Sequence, residues 1–365
     1  MTVPFNSLRP VEDAADINAA IARVIASGWF VLGPEVEAFE REFAAASGVG
    51  HAVGVGTGTD AIMLIFRALD IGAGDEVITA PLSAAYSALA IMMAGARPVF
   101  ADIDPERLTL DPRAVEAAIT PRTRAIMPVH LYGQPADMTP LAAIAQKHHL
   151  ALVEDAAQSQ LATAGGRPIG TIGIAAATSF YPTKNLGALG DGGAILTGDA
   201  PLAARLKRLR NGGQTSRYHH QEPGVNTRLD EMQAAILRAR LHYLHGWTAK
   251  RRSIAARYRR ALGAPGGSAT IIVPREFDPG HVYHLFPLLT DQRDRFQAHM
   301  TAKGIETLIH YPVPIPRQPA LAATSPAMCP VADRVCSQVV SLPMYPGLSD
   351  DAVSAVAEAA TTFRG

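Results

Sequence analysis

Residues 51–80 read HAVGVGTGTDAIMLIFRALDIGAGDEVITA. The run 51–55 is short and largely apolar, Gly54, Gly56 and Gly58 supply a turn, 60–69 repeats apolar residues at helical spacing, and 76–80 is apolar again. Strand, glycine turn, helix and second strand make the crossover unit of a parallel sheet. The alternation continues outward, with strands expected over 98–102, 124–129 and 150–154 and helices over 86–94, 112–119 and 138–148. The helix at 112–119 carries an Asp111 cap and Pro112 at its first position. The fold class is therefore α/β, a mostly parallel sheet covered on both faces. Beyond Ser179 the pattern changes. A strand is expected at 192–197, then long Arg- and Ala-rich helices over about 200–211 and 229–262, with the Ala-Pro-Gly-Gly-Ser stretch at 264–268 as a linker. Segments 282–289, 292–303, 306–310 and 339–342, with a last helix from Asp350, suggest a small α+β domain. The chain is divided into a large domain over 1–245, N-terminal helices included, and a smaller one over 246–365.

Bulk composition narrows the function. The chain has 365 residues, 48% apolar and 18% charged, with Lys plus Arg equal to Asp plus Glu at 33 each. That balance gives no global field for nucleic acid or an anionic membrane surface, so an anionic ligand needs a local site. Cys329 and Cys336, separated by six residues, fit neither a zinc spacing nor a disulfide framework. The N-terminus lacks a basic segment followed by an apolar run, and apolar stretches elsewhere end well short of a membrane span. A cytoplasmic protein binding neither nucleic acid nor membrane is expected.

Three segments carry candidate chemistry. The glycine turn at 54–60 aims backbone N–H groups and a positive helix end at an anion, commonly a phosphate. A dinucleotide fingerprint would need glycine where Thr59 stands, and no acidic residue closes the next strand. A tight turn without ligand is the plain alternative. Next, the apolar run Leu152-Val153 ends in Glu154-Asp155, placing Asp155 outside a strand's carboxyl end, where open α/β sheets gather ligands. Such a carboxylate can keep a ring nitrogen protonated, although an Asp there is more often a cap. Third, Lys184 lies among small and turn residues in Ser179-Phe-Tyr-Pro-Thr-Lys-Asn-Leu-Gly187 with no carboxylate near it in sequence. An ammonium without a partner in a tight site loses charge and can attack an aldehyde, whereas a flexible hairpin lysine is the bland reading.

Taken together these residues resemble the pyridoxal-phosphate (PLP) dependent nucleotide-sugar aminotransferases of the DegT/DnrJ/StrS family, of PLP-transferase fold type I, the aspartate aminotransferase-like fold. The likeness runs from Gly33-Pro-Glu-Val-Glu-Ala-Phe-Glu40 to Leu308-Ile-His-Tyr-Pro312. It implies Lys184 as the Schiff-base lysine and later proton carrier, Asp155 as partner of the pyridine nitrogen and Gln158 as ligand of the ring hydroxyl. Ser179 and the backbone of Gly58 and Thr59 would bind the phosphate, and Asn226, within Gly224-Val-Asn-Thr-Arg228, would complete that site from a second subunit. A homodimer with shared active sites follows. The segments 129–138, 181–193 and 218–220 look most like the subgroup aminating C3 of a dTDP-3-keto-6-deoxyhexose. In Pro81-Leu-Ser-Ala-Ala-Tyr-Ser-Ala88 the family's ring-stacking aromatic is replaced by alanines. Tyr86 could supply the ring from a shifted position, or the pocket is enlarged for another substrate.

Further residues are weighed for the sugar and nucleotide. Tyr181, Tyr218, His219, His220, Arg228, His310 and Tyr311 are the substrate candidates. The 218–220 loop is otherwise solvated, Arg228 otherwise pairs with Asp230, and His310 with Tyr311 are otherwise core residues. His148, His149, His242 and His245 lack the companions of a metal site, and Gly-x-Ser-x-Gly is absent. The resemblance implies glutamate as amino donor and pyridoxamine 5'-phosphate as the alternate cofactor form. Its rivals are amination at C4 or of a UDP- or GDP-sugar, and a non-enzymatic PLP-binding regulator; related dehydratases replace the lysine that this chain keeps.

Overall fold

The computed structural model describes residues 2–9, 11–263, 270–324 and 326–364. Two helices, α1 (Ala14–Ser27) and α2 (Pro34–Ala46), precede β1 (His51–Val55), α3 (Gly58–Ala68) and β2 (Glu76–Thr79). The alternation continues through α4 (Tyr86–Met93), β3 (Arg97–Phe100), α5 (Pro112–Ala118), β4 (Thr123–Met127), α6 (Met138–Lys147) and β5 (Ala151–Asp155). A small hairpin of β6 (Thr163–Ala164) and β7 (Arg167–Pro168) leads to β8 (Ala175–Ser179) and β9 (Gly193–Thr197). After α7 (Ala200–Leu209) come the hairpin β10 (Gln214–Ser216) and β11 (His219–His220), then α8 (Glu231–Leu241) and α9 (Leu244–Leu262). The chain ends with β12 (Phe286–Leu289), α10 (Arg293–Ala302), α11 (Pro330–Gln338), β13 (Val339–Leu342) and α12 (Asp350–Thr362).

The main sheet has the order β1-β9-β8-β5-β4-β2-β3. Neighbours from β8 through β3 pair in parallel, while β9 pairs antiparallel with both β8 and β1. Only β9 opposes the rest, so the sheet is mostly parallel and the carboxyl ends of β5 and β8 share one edge. Helix α3 is apolar all round, and Ala61 through Phe66 are all buried, as a helix walled in on every side requires. That burial fixes where its N-terminus points. A second apolar cluster joins Val3 to Ile254, Tyr258, Phe286, Phe296, Val340, Val353 and Phe363, so the N-terminal arm packs into the C-terminal part. Buried Glu231 accepts from the amides of Gly33, Glu35 and Val36 at 2.8–2.9 Å, which caps α2 from the first residue of α8.

Some expected elements differ. Strand β8 was not legible because Ala175-Ala-Ala-Thr-Ser179 has weak strand propensity and earns its place by burial between β5 and β9. The helical run at 229–262 divides into α8 and α9 at Tyr243, whose hydroxyl donates to Asp16 at 2.6 Å. Within 282–289 only the last four residues form a strand, because the amides of Val282 and Leu285 bond the carbonyls of Gly133 and Tyr132. The 306–310 segment makes a single bridge, Leu308 to Ser341, in place of a strand. The linker expected at 264–268 lies outside the described residues.

Replacing Phe66 with Ala should destabilise the protein by about 3–5 kcal/mol, since a fully buried ring leaves a cavity. Guanidinium unfolding followed by circular dichroism measures it, and an unchanged midpoint would contradict the packing described.

Candidate active site

Asp155 closes β5 with 4% of its surface exposed. Its amide donates to Pro128 O and its carbonyl accepts from His130 N, so the residue is pinned to the strand beside it. Both carboxylate oxygens are engaged, Oδ2 by Ser87 Oγ at 2.7 Å and Oδ1 by the Ala157 amide at 3.1 Å. Ser87 arrives from the first turn of α4.

The loop between β8 and β9 carries Lys184. Phe180 N donates to Gly192 O, Ala188 N to Phe180 O and Lys184 N to Tyr181 O, which folds the loop tightly on itself. A Cβ on Gly187 would meet Pro182 O at 2.4 Å, so only glycine closes this turn. The Lys184 side chain keeps some surface, yet its amine makes no hydrogen bond or ion pair with any described residue. Burial pulls its pKa down to about 8, and the Asp155 carboxylate opposes that fall. The amine therefore feels Asp155 without contacting it.

Around this pair lies a buried polar shell. Gln158 Oε1 accepts from Tyr132 N at 2.7 Å, and its Nε2 donates to Tyr311 Oη at 3.2 Å. Burial lifts the Tyr311 hydroxyl to about 12, assisted by Asp155 and opposed by the Gln158 contact. His310 sits half-buried with Nδ1 3.1 Å from Ser341 Oγ, and burial together with Lys184 lowers it to about 4. Tyr132 donates its hydroxyl to His310 O. His284, its Nδ1 3.1 Å from Asn185 Oδ1, is pushed well below the usual histidine range by burial, then by Lys184, Arg251 and His310. Both imidazoles are neutral at pH 7.

The glycine turn forms a cradle at the same edge. Thr57 caps α3 by accepting from the Asp60 amide at 3.0 Å, which leaves the Gly58 and Thr59 amides outside the helical ladder. A Cβ on Gly58 would come 2.8 Å from Ser179 Cβ, and one on Gly193 would come 2.4 Å from the Thr57 carbonyl. Ser179, Gly58 and Thr59 are thus held together by close backbone approach, at a helix end that favours an anion. Thr227 Oγ1 accepts from Gly56 N at 2.9 Å and donates to Asp60 Oδ2 at 2.7 Å, so segment 224–228 of the same chain locks the turn. The open cradle and the partnerless amine fit a phosphorylated aldehyde. The family model described as DegT/DnrJ/EryC1/StrS aminotransferase family matches residues 11–361.

The chain belongs to that family. It is a PLP-dependent aminotransferase of type α/β. This aminotransferase is 50% identical over 351 residues to the dTDP-3-amino-3,4,6-trideoxy-alpha-D-glucose transaminase of Streptomyces venezuelae, covering 95% of this chain and 92% of the relative. It is 48% identical to the erythromycin biosynthesis sensory transduction protein EryC1 of Saccharopolyspora erythraea, with 98% of each covered. The crystal structure of S. venezuelae DesV in complex with a ketimine intermediate superposes with TM-score 0.94 at 48% identity, covering 98% of this chain and 97% of that one.

Other candidate residues of the aminotransferase lie apart from this group. Tyr86 opens α4 at 65% exposure, next to Ser87, which reaches Asp155. Tyr181 is exposed beside the Lys184 loop. Tyr218 occupies the turn of the β10–β11 hairpin, and His219 and His220 are exposed on β11, so the expected polar loop is a hairpin. His220 Nδ1 lies 2.6 Å from Gly212 O. Asn226 is exposed and bridged through its backbone to Asn211. Arg228 donates to Asn211 Oδ1 at 2.9 Å, and Asp230 caps α8 in place of pairing with it. Ser87, Tyr132, Asn185 and His284 join the site without having been singled out, although Ser87, Tyr132 and Asn185 stand inside the segments 81–88, 129–138 and 181–193.

A Gly193→Ala protein should fold yet bind pyridoxal phosphate at least about tenfold more weakly, because the new methyl group displaces the start of α3. Absorbance titration of the cofactor-free protein tests this, and unchanged affinity would remove the cradle from the phosphate site.

Proposed function

We propose that the protein transfers an amino group from glutamate to the ketone of a nucleotide-linked deoxysugar, in the first place a dTDP-3-keto-6-deoxyhexose, as a cytoplasmic homodimer with shared sites. The carrying observation is the Lys184 amine, free of partners and facing Asp155 beside the phosphate cradle. Bound pyridoxal 5'-phosphate, with pyridoxamine 5'-phosphate as its other form, supplies an aldehyde for covalent attachment and a protonated ring that draws electrons. Lys184 Nζ is the amine that would hold that aldehyde, with water as the other product, and when free it would carry the proton beside the nitrogen. Asp155, fixed by Ser87, keeps the ring nitrogen protonated, Gln158 meets the ring hydroxyl, and Gly58, Thr59 and Ser179 hold the phosphate, with Asn226 of the second subunit. Tyr181, Tyr218, His219, His220, Arg228, His310 and Tyr311 face the substrate in that assembly, with the exposed aromatics drawn in by the partner.

The likeness to the S. venezuelae transaminase, which is 50% identical, supports the sugar assignment. A division at 245/246 is supported by the apolar cluster over 254–363, which takes in Val3 as well. A regulator without turnover is favoured only by the likeness to the sensory transduction protein EryC1 of S. erythraea. Lys184 would hold the cofactor in a regulator as well, so turnover of a keto-sugar is the observation that separates the two readings.

Incubation with pyridoxal phosphate, glutamate and a panel of dTDP-, UDP- and GDP-keto-sugars, followed by sugar mass, should give an amino-sugar from a dTDP-3-keto substrate. Lys184→Ala should turn over none of them; turnover by that variant would defeat the proposal. A pKa of about 8 leaves roughly a tenth of the amine unprotonated at pH 7, against roughly 3 in 10,000 for an ordinary lysine. Capture of pyridoxal phosphate by cofactor-free protein, read by borohydride trapping, should therefore quicken about tenfold per pH unit below 8 and level above it.

A further inference from the structure

A second cationic group lines a cleft together with the Lys184 loop. Three arginines are buried among the described residues, Arg210, Arg240 and Arg251. Arg210 pairs with Glu40, and Arg240 pairs with Asp13 at 2.8 Å. Arg251, only 4% exposed on α9, has no carboxylate of a described residue within 4 Å. Its Nη1 donates to the carbonyls of Tyr283, His284 and Met344 at 2.8–3.3 Å, while Nε is buried with no partner and Nη2 bonds no described residue. Burial lowers its pKa to about 10, so it remains charged at neutral pH.

Arg251 lines a cleft of about 170 Å³ that it shares with Lys184, the N-terminal arm at Asn6, Ser7 and Arg9, and Trp247. The acids of that cleft are already engaged. Glu12 accepts from Trp247 Nε1 at 2.7 Å and from Lys250 at 3.0 Å, and Asp13 holds Arg240. A buried guanidinium with half its fork unused calls for a planar anion. The cleft is smaller than the roughly 300–1,000 Å³ of sites for drug-sized ligands, which favours a small acid over a nucleotide.

We propose that this cleft binds a carboxylate of the amino donor, with Arg251 as its anchor. The assignment rests on glutamate being the donor. Lys184 lines the same cleft, so a donor held there by its acid has its nitrogen on the side of the amine that carries the cofactor.

The test is calorimetric titration of the cofactor-loaded protein with glutarate, acetate and inorganic phosphate. Wild type should bind glutarate best, Arg251→Lys and Arg251→Met should bind it at least tenfold more weakly, and Arg252→Ala should match wild type. In single-turnover absorbance, Arg251→Lys should need at least tenfold more glutamate for the first half-reaction and leave the sugar half-reaction unchanged. Circular dichroism checks the fold, and if Arg251→Met does not fold, Arg251→Lys decides. Unchanged glutarate binding in a folded Arg251→Lys protein, equal loss in both half-reactions, or phosphate binding tighter than glutarate through Arg251 would each overturn the assignment. Arg251-dependent glutarate binding in a protein that aminates no keto-sugar would uphold this site and sink the sugar substrate alone.

Discussion

An amine kept away from its counter-charge is the constraint on which the rest depends. Lys184 would become an ordinary ion pair if Asp155 could reach it, and an ion pair would restore its full basicity. Ser87 Oγ and the Ala157 amide occupy both oxygens of Asp155, while the strand bonds of its backbone fix the position. The carboxylate therefore acts on the amine through space, and stays available to a ring placed between them. His284 and His310, both neutral near pH 7, surround the amine without adding charge.

Sheet order brings these groups together. Strands β5 and β8 are parallel neighbours, so Asp155 and Ser179 emerge side by side, and buried α3 delivers its N-terminus to the same edge. Antiparallel β9 returns the chain so that Gly193 lies against Thr57. Without side chains at 58 and 193, the backbone approaches closely enough to leave amide donors facing an open cradle.

Much of this was legible in the sequence where the signal is local. Residues 51–55 and 339–342 form strands with the expected bounds, and the helices starting at Tyr86, Pro112 and Met138 begin where cap and spacing indicate. Lys184, Asp155 and the Gly58 turn could be singled out because turn residues and strand ends carry pattern, whereas Ser179 entered through the family resemblance. The alanine strand β8 could not, since burial and not propensity makes it. Nor could Ser87 or the contact of Gln158 with Tyr311, 153 positions away, because spacing along a chain carries no record of tertiary neighbours. Arg251 stands in an arginine-rich helix whose other members are solvated or paired, and its isolation is a property of the fold alone.

The Lys184 loop is a long hairpin clamped at its base by the Ser179–Gly193 pair. Lys184 N bonds Tyr181 O and Ala188 N bonds Phe180 O, so insertion or loss of one residue between 180 and 188 would break these bonds and shift the amine. Change there is confined to swaps of side chain at fixed length. The exposed β10–β11 hairpin has no such anchor at its tip, where Arg217 and Tyr218 stand in water. Descendants of this chain can thus lengthen or reshape one rim while the reacting nitrogen stays at a constant address.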